Sequence, residues 1–457
     1  MWPSLNGSIP LLCVDNIYDY YKDFLSRYEN PQEGNDFYQN LCTRLMFYGG
    51  LPKLVVCQKA VVLYDYLREH LGLEGYTFVI PDEIAGESTV EKIIQCPAAL
   101  ERILTFSGVQ KQLQIISFAC TSDMWDLAQY LEEKFDITIV LPELPSKENL
   151  WIPDYLKTKR GFRSIASTTF SPEEKALPEG FICQDEQEMI SVIKWFLAQN
   201  RHCIVKPERG IEGRGILIFD ANYPYKEDEI RAIFEEQKYL FAEEPIIVEQ
   251  RIHHGSNKIL SPSVEYYIPP KGQGEPVFTY LVNQVFHEDV RFVGNIISKI
   301  QYSAPWCPSL LEKGERLAKK VQELGYVGYM DIDCIVDENH NVYFVEINPR
   351  RTGGTHIHEI AVQLFGENYI EEVTLISNAN LKVRGIQSFE ELYAASIDLL
   401  YAPHQKKQGI IITEANLLSS YGKISVLSMG KDEQEATDYL VQFQDRISQK
   451  YALKSHK

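Results

Sequence analysis

The residues with the clearest chemistry lie in GYMDIDCIVDENHNVYFVEINPRRTGG, which ends at Gly354. Asp333 sits inside a β-type run, IDCIVD, where an acid is out of place unless it faces a polar site. DENHN supplies Asp, Glu and Asn for a tight turn, so the flanking runs are expected to pair as a hairpin. On the second run Glu346 and Asn348 are two apart and share a face, and folding the hairpin back brings Asp333 beside them. Two carboxylates and an amide oxygen form a hard, all-oxygen donor set. Such a set suits Mg²⁺ or Mn²⁺, with waters and nucleotide phosphates in the remaining positions. Arg350 follows two residues later on the same face and offers a fork for a carboxylate or phosphate. A solvent-facing edge hairpin also carries polar groups, but four of them among Ile, Val, Phe and Tyr favour a site.

A second constellation is HCIVKPERGIEGRGILIF, residues 202–219. Lys206 follows a strand-like run that Pro207 ends, and Gly210, Gly213 and Gly215 punctuate the loop before the next strand. Glycines let a backbone approach phosphates and present its N–H groups, while Lys206, Arg209 and Arg214 add positive charge. The pattern is not GxxxxGK[ST], which excludes a Walker-type loop, and a plain hairpin turn accounts for it equally well.

The elements that must hold these residues fall into three regions. Residues 1–150 alternate short strands (LPKLVVCQ, YTFVIPDE, LQIISFA, DITIVLPELP) with amphipathic helices (AVVLYDYLREHLG, MWDLAQYLEEKF). That alternation predicts a parallel sheet covered on both faces, and no GxGxxG follows any of the strands. The segment SKENLWIPDYLKTKRGFRSIASTTFSPEEKALPEGF reads as a break, because Pro, Ser and Thr interrupt the helical pattern. Beyond it come a helix at 185–199, the strands HCIVKP, GILIF, PIIVEQRI, SVEYYI and VFTYLVNQVF, the helix LLEKGERLAKKVQELG and the hairpin. A tail from about 378 ends in the helix EQEATDYLVQFQDRISQ.

Together these segments resemble the ATP-grasp superfamily over roughly residues 150–375. In that family an acid and a Glu-x-Asn pair on the adjacent strand bind Mg²⁺, and Asp333, Glu346 and Asn348 match that order and spacing. Its lysine before a glycine-rich loop matches Lys206, and its hinge glutamate near the adenine amino group matches Glu249, with Gln250 and Ile252 offering backbone groups to the purine. A further upstream lysine that contacts phosphates is best matched by Lys159 in TKRGFR, with Lys157 the competitor. The family's ribose-holding acid has no clear counterpart, which leaves the role to Ser261, to Glu265 or to no residue.

The resemblance implies an α/β (α+β) ATP-grasp fold: a pre-ATP-grasp α/β domain at 1–150, the catalytic domain at 151–375 and a small C-terminal segment at 376–457. TKRGFR, SPSVEYYI and EINPRRTGGTH look like the pheganomycin-type peptide ligases and related amino-acid ligases. The implied activity is an ATP-dependent carboxylate–amine ligase that uses Mg²⁺ (or Mn²⁺) and small-molecule carboxylates and amines, amino acids or peptides. Lys159, Lys206 and Arg350 would be catalytic, and Gly213 and Gly215 would lie against the nucleotide. Kinase or bicarbonate-activating chemistry, or nucleotide binding without turnover, are the alternatives. Dimers are common among relatives, so a homodimer is one expected assembly.

Composition narrows the classes further. With 45 Lys+Arg against 64 Asp+Glu, the formal charge of the 457-residue chain is −19. That disfavours a nucleic-acid binder and requires any phosphate site to be a local inversion of the global charge. No apolar run reaches the ~18 residues of a membrane span, and the N-terminus does not read as a secretion signal. The 9 cysteines are scattered without a CxxC pair, which suggests reduced thiols and a cytoplasmic enzyme. Histidines 253, 254, 356 and 358 are spaced closely but lack a third ligand, so packing or solvent-facing roles are expected. Arg291 reads equally as a site residue or a surface ion-pair partner, and residues 351–356 as a loop over the acceptor or a plain connection.

Overall fold

The computed structural model describes residues 3–27, 31–82, 88–210, 213–253, 259–287, 291–403 and 405–454. The alternating N-terminal pattern forms the sheet it predicts. Strands β1 (Leu11–Val14), β2 (Lys53–Val56), β3 (Tyr76–Val79), β4 (Gln112–Ser117) and β5 (Thr138–Val140) lie in the order β3-β2-β1-β4-β5. Every pairing is parallel. Leu12, Val14, Leu54 and Val56 enter a core with Leu127 and Leu131 of the helix Ser122–Phe135. The opposite side chains, such as Cys13 and Val55, join a second core. Burial on both faces is why these strands read as continuous apolar runs. In AVVLYDYLREHLG, by contrast, the only helical turn closed as a named element is Tyr66–His70, a π turn.

A small sheet follows: β6 (Gly180–Cys183), β7 (Cys203–Pro207), β8 (Leu217–Phe219) and β9 (Ile246–Gln250), ordered β6-β9-β7-β8 and antiparallel. Helices Glu186–Ala198 and Glu227–Glu235 cover it, with Met189, Ile193, Phe196 and Phe234 packing on Val205, Phe219 and Val248.

The largest sheet has eight strands in the order β14-β13-β10-β11-β12-β15-β17-β16. These are β10 (Pro262–Ile268), β11 (Val277–Phe286), β12 (Phe292–Ile297), β13 (Gly328–Val336), β14 (Val342–Asn348), β15 (Thr374–Lys382), β16 (Gly409–Glu414) and β17 (Lys423–Gly430). The domain limit read at 375 falls inside β15, and the tail completes this sheet. Helix Cys307–Leu324 seats Leu310, Leu317 and Val321 on Val264, Met330 and Ile332, so one face of β10 and β13 is committed to the core. β12 meets β15 so closely that a Cβ on Gly294 would stand 1.9 Å from the Ser377 carbonyl oxygen. Gly294→Ala is therefore expected to destabilise the protein by about 1–3 kcal/mol, read as a lower melting temperature.

The segment read as a break instead forms two helices, Trp151–Leu156 and Lys159–Thr169. The Thr158 hydroxyl accepts from the Gly161 N–H as an N-cap, and Phe162, Ile165 and Ala166 are buried. Burial of that stripe outweighs the poor helix propensity of the Ser and Thr that face away. Among the described residues no helix is long and apolar enough to cross a membrane.

Candidate active site

A cleft of about 310 Å³ lies between the small sheet and the polar face of the large one, with the N-terminal domain closing one end. Its floor is the hairpin the sequence predicts. β13 pairs with β14 so that Asp331 opposes Asn348 and Asp333 opposes Glu346. The register shifts between Asp333 and Cys334, leaving Val345 as an extra residue on β14. This bulge changes the strand's phase. Val342 and Phe344 face the core before it; Ile347 faces the core after it, and Glu346 and Asn348 turn to the cleft.

The donors on this floor are already engaged with one another. The Asn348 amide donates to Asp333 Oδ2 at 2.9 Å, and Gln284 on β11 donates to Asp333 Oδ1. Lys159 Nζ donates to Glu346 Oε1 at 3.2 Å, and Arg350 Nη2 to Asn348 Oδ1 at 2.8 Å. Burial, with the Glu346 charge next in weight, pushes the Asp333 carboxyl up to about 6. Asp331, which accepts from the Ser263 hydroxyl at 2.7 Å, is pushed well above the carboxylate range by burial and by Asp333. Asp331 was not singled out in the sequence, although it lies two residues before Asp333 on the same face.

Asp333 and Glu346 fit a divalent cation, because they are neighbouring carboxylates on one face, and burial with the Glu346 charge raises the Asp333 pKa, an effect a cation would oppose. Among the described residues no three His, Cys, Asp or Glu side chains converge on a metal-sized space. The third oxygen would therefore be the Asn348 amide.

Lys159 reaches the cleft from the first turn of its helix, and its backbone N–H is fixed by the Glu208 carbonyl at 3.1 Å. Lys157 is turned away, paired with Asp154 at 2.5 Å and over the Tyr20 ring. Lys206, next to last on β7, donates to Glu249 Oε2 at 2.6 Å across to β9. Arg163 holds the other oxygen of Glu249 at 2.6 Å. Burial raises the Glu249 pKa, but Lys206 and then Arg163 outweigh it and hold the carboxylate below its usual range. Both oxygens of Glu249 are thus held by cations. Arg163 lies four residues after Lys159, the helical spacing that puts both on one face.

Gln250, Ile252 and Gly213 line the cleft, whereas Gly215 does not. Gly215 has φ +79° and packs against Pro207, so it shapes the turn. Ser261 also lines the cleft, its hydroxyl donating to the Cys334 carbonyl at 2.9 Å. Glu265 is fully buried away from it, accepting from Thr279, Tyr280 and Thr355.

Arg350 lines the cleft with its guanidinium carbon 5.5 Å from the Tyr21 ring and 5.3 Å from the Phe118 ring, both from the N-terminal domain. Thr352 and Gly353 line the cleft as well, while Arg351, Thr355 and His356 are buried beneath it. Arg291 is exposed and outside the cleft. Of the paired histidines, His254 lies outside the described residues and His253 lines the cleft beside His202, ring centroids 4.9 Å apart.

His358 packs on Tyr280, and its Nδ1 meets the Tyr369 hydroxyl at 2.9 Å. Burial pushes it down to about 3, below its unfolded value of 6.5, so the unfolded chain binds the extra proton between those limits. Stability is lost as pH falls through that window. His358→Phe is expected to flatten the acid side of a melting-temperature profile by about 1–2 kcal/mol near pH 5.

All nine cysteines are free thiols. Residues 186–354 match the sequence profile of a family described as an ATP-grasp domain. No curated protein matches the sequence. The fold is similar to N5-carboxyaminoimidazole synthetase from Staphylococcus aureus complexed with ADP. There the TM-score is 0.53 at 10% identity, covering 96% of this chain and 98% of that one. It is also similar to biotin carboxylase from Campylobacter jejuni in a β,γ-ATP complex, with a TM-score of 0.57 at 13% identity over 96% and 91%. A third likeness is the biotin carboxylase domain of 2-oxoglutarate carboxylase from Hydrogenobacter thermophilus, TM-score 0.52 at 14% identity over 95% and 88%. Residues 186–354 thus match an ATP-grasp domain, and the overall fold of the chain is that of the ATP-grasp structures it resembles.

Proposed function

We propose that the protein is an ATP-dependent carboxylate–amine ligase that forms an amide or peptide bond between amino acids or peptides through an acyl phosphate. The observation that carries this reading is Arg350 bonded to Asn348 beside Asp333 and Glu346. It sets a carboxylate-binding fork against a site able to neutralise phosphate. The purine would lie against the backbone of Gln250 and Ile252, the ribose near Ser261 and the phosphates between Gly213, Lys206 and Lys159, all on the cleft wall.

In the first step a substrate carboxylate oxygen attacks the γ-phosphorus, an O–P bond forms, and ADP leaves with the electron pair of the broken bond. In the second, the amine nitrogen attacks the acyl carbon, the C–O bond to phosphate breaks, phosphate departs and the nitrogen loses a proton. Such chemistry needs mainly positioning and charge neutralisation. Lys159 and Lys206 meet the charge on the transferring group, and Arg350 orients the carboxylate and then the acyl phosphate. Magnesium bound by Asp333, Glu346 and Asn348 would supply charge neutralisation on the phosphate oxygens. The motifs TKRGFR, SPSVEYYI and EINPRRTGGTH look like the pheganomycin-type peptide ligases, and the nine free thiols suit a reducing, cytoplasmic setting.

The second reading is bicarbonate activation, favoured by likeness over almost the whole chain to a carboxyaminoimidazole synthetase and biotin carboxylases. An ADP-release assay with Mg²⁺, run with amino acids singly and in pairs and with bicarbonate, separates the two. ADP coupled to an amide product supports the ligase. ADP that depends on bicarbonate without an amide supports the second reading, and a phosphorylated product without an amide would mark a kinase.

A further inference from the structure

The cleft is polar at one end and apolar at the other. Away from Lys206 and Glu249 its wall is formed by Tyr21, Tyr38 and Leu41 from the N-terminal domain, with Phe118 and Phe292. Tyr21 lies 4.7 Å from Tyr38 and 5.9 Å from Phe118 by ring centroids, so these three rings form a continuous aromatic surface. Arg44, half-buried on the 3-10 segment Asn40–Met46, lines the same space.

Among the described residues the Arg44 side chain makes no hydrogen bond and no ion pair. Arg44 acts through its charge on Glu414, one oxygen of which accepts from the Asn416 N–H at 2.7 Å. A guanidinium carries five donors in a fork that matches a carboxylate, and those of Arg44 are open to an anion entering beside the aromatic wall. Arg350, which the ligase reading gives to the reacting carboxylate, bonds Asn348 and the Arg351 carbonyl, and Arg214 and Arg251 also line the cleft.

We propose that this end of the cleft is the acceptor subsite, and that it takes an α-amino acid with an aromatic or large aliphatic side chain, its free carboxylate held by Arg44. The inference deepens the ligase reading and rests on it for the word acceptor. A ligase forming a peptide leaves the acceptor's carboxylate unreacted, and that charge must be neutralised in a cleft whose floor carries Asp331, Asp333 and Glu346. Arg44 supplies the cation, and the aromatic wall supplies apolar surface for the side chain.

Calorimetry on the full chain tests this with L-phenylalanine, L-leucine, L-serine and L-phenylalaninamide as probes. Wild-type protein is expected to bind phenylalanine and leucine about tenfold or more tightly than serine or the amide. Arg44→Gln is expected to abolish the preference for the acid over the amide, and Arg44→Lys to keep part of it. Equal binding of phenylalanine and its amide by the wild-type protein overturns the proposal without any variant. So does an Arg44→Gln protein that melts lower but keeps the preference, since Arg44 would then only offset Glu414. Amide formation from small polar amino acids alone, with no phenylalanine binding, removes this subsite and leaves the ligase. Binding as expected with no amide product from any pair leaves the amino-acid pocket standing and removes the ligase.

Discussion

Asp333→Asn is expected to lower ADP release by about 10²-fold or more without lowering the melting temperature. The carboxylate is enclosed, faces Glu346 across the strand pair and is already pushed up to about 6 by burial and then by that neighbour. Substitution by the amide removes one charge of a like-charged pair, so the folded protein loses a repulsion. It also removes an anionic oxygen donor from the end of the cleft where the proposed reading sets the phosphates. Neutral replacements at catalytic carboxylates act mainly on the transition state, where charge on the transferring group must be met. A coupled ADP assay beside a thermal melt checks both halves. Glu346→Gln should behave alike, with the added change that Lys159 loses the anionic partner it holds at 3.2 Å. Turnover within a few-fold of wild type in either variant would remove these residues from the phosphate site.

The largest expected effect on stability is at Arg351. It is 1% exposed, with Nη1 on Glu359 at 2.6 Å and Nη2 on Glu143 at 2.7 Å. The rings of Tyr48 and Tyr329 lie 4.6 and 4.1 Å from its guanidinium carbon. Glu143 and Tyr48 belong to the N-terminal region, so one side chain ties that region to the strand end that carries Arg350. Arg351→Met strands two buried carboxylates, and breaking such a network by removing one partner costs about 3–5 kcal/mol. The expected result is a steep drop in melting temperature or insoluble protein. Adding Glu143→Gln and Glu359→Gln should recover most of the loss, because the uncompensated charges rather than the missing contacts dominate it. No recovery in the triple variant would show that packing on the two tyrosines carries the stability instead.

The hairpin residues were legible because a strand has a period of two. Glu346, Asn348 and Arg350 are related by that period, and polar groups at such spacing in an apolar run announce a lined face. Lys206 was legible for the local reason that Pro207 stops the strand at the cleft edge. The helix that presents Lys159 was hidden, since its Ser- and Thr-rich surface weakens the local signal and only tertiary burial of Phe162 and Ile165 stabilises it. Arg163 and Asp331 were visible as letters and passed over. The first needed a helix at 159–169 to share a face with Lys159, and the second needed a partner opposite Asn348.

Local pattern alone settled the parallel N-terminal sheet, the β13–β14 hairpin and the chemical types gathered near it. Alternation and turn composition act over a few residues, and any compact fold must respect them. Which side chains are free to work was decided at long range. A plain hairpin in the register of Val336 with Val342 would set Asp333 opposite Val345; the bulge at Val345 sets it opposite Glu346. Two adjacent arginines read alike in sequence. One is buried by acids from residues 143 and 359, while the other faces a cleft built by residues 21, 118 and 348. Desolvation and pairing depend on groups brought from hundreds of residues away, and short-range spacing carries no record of them.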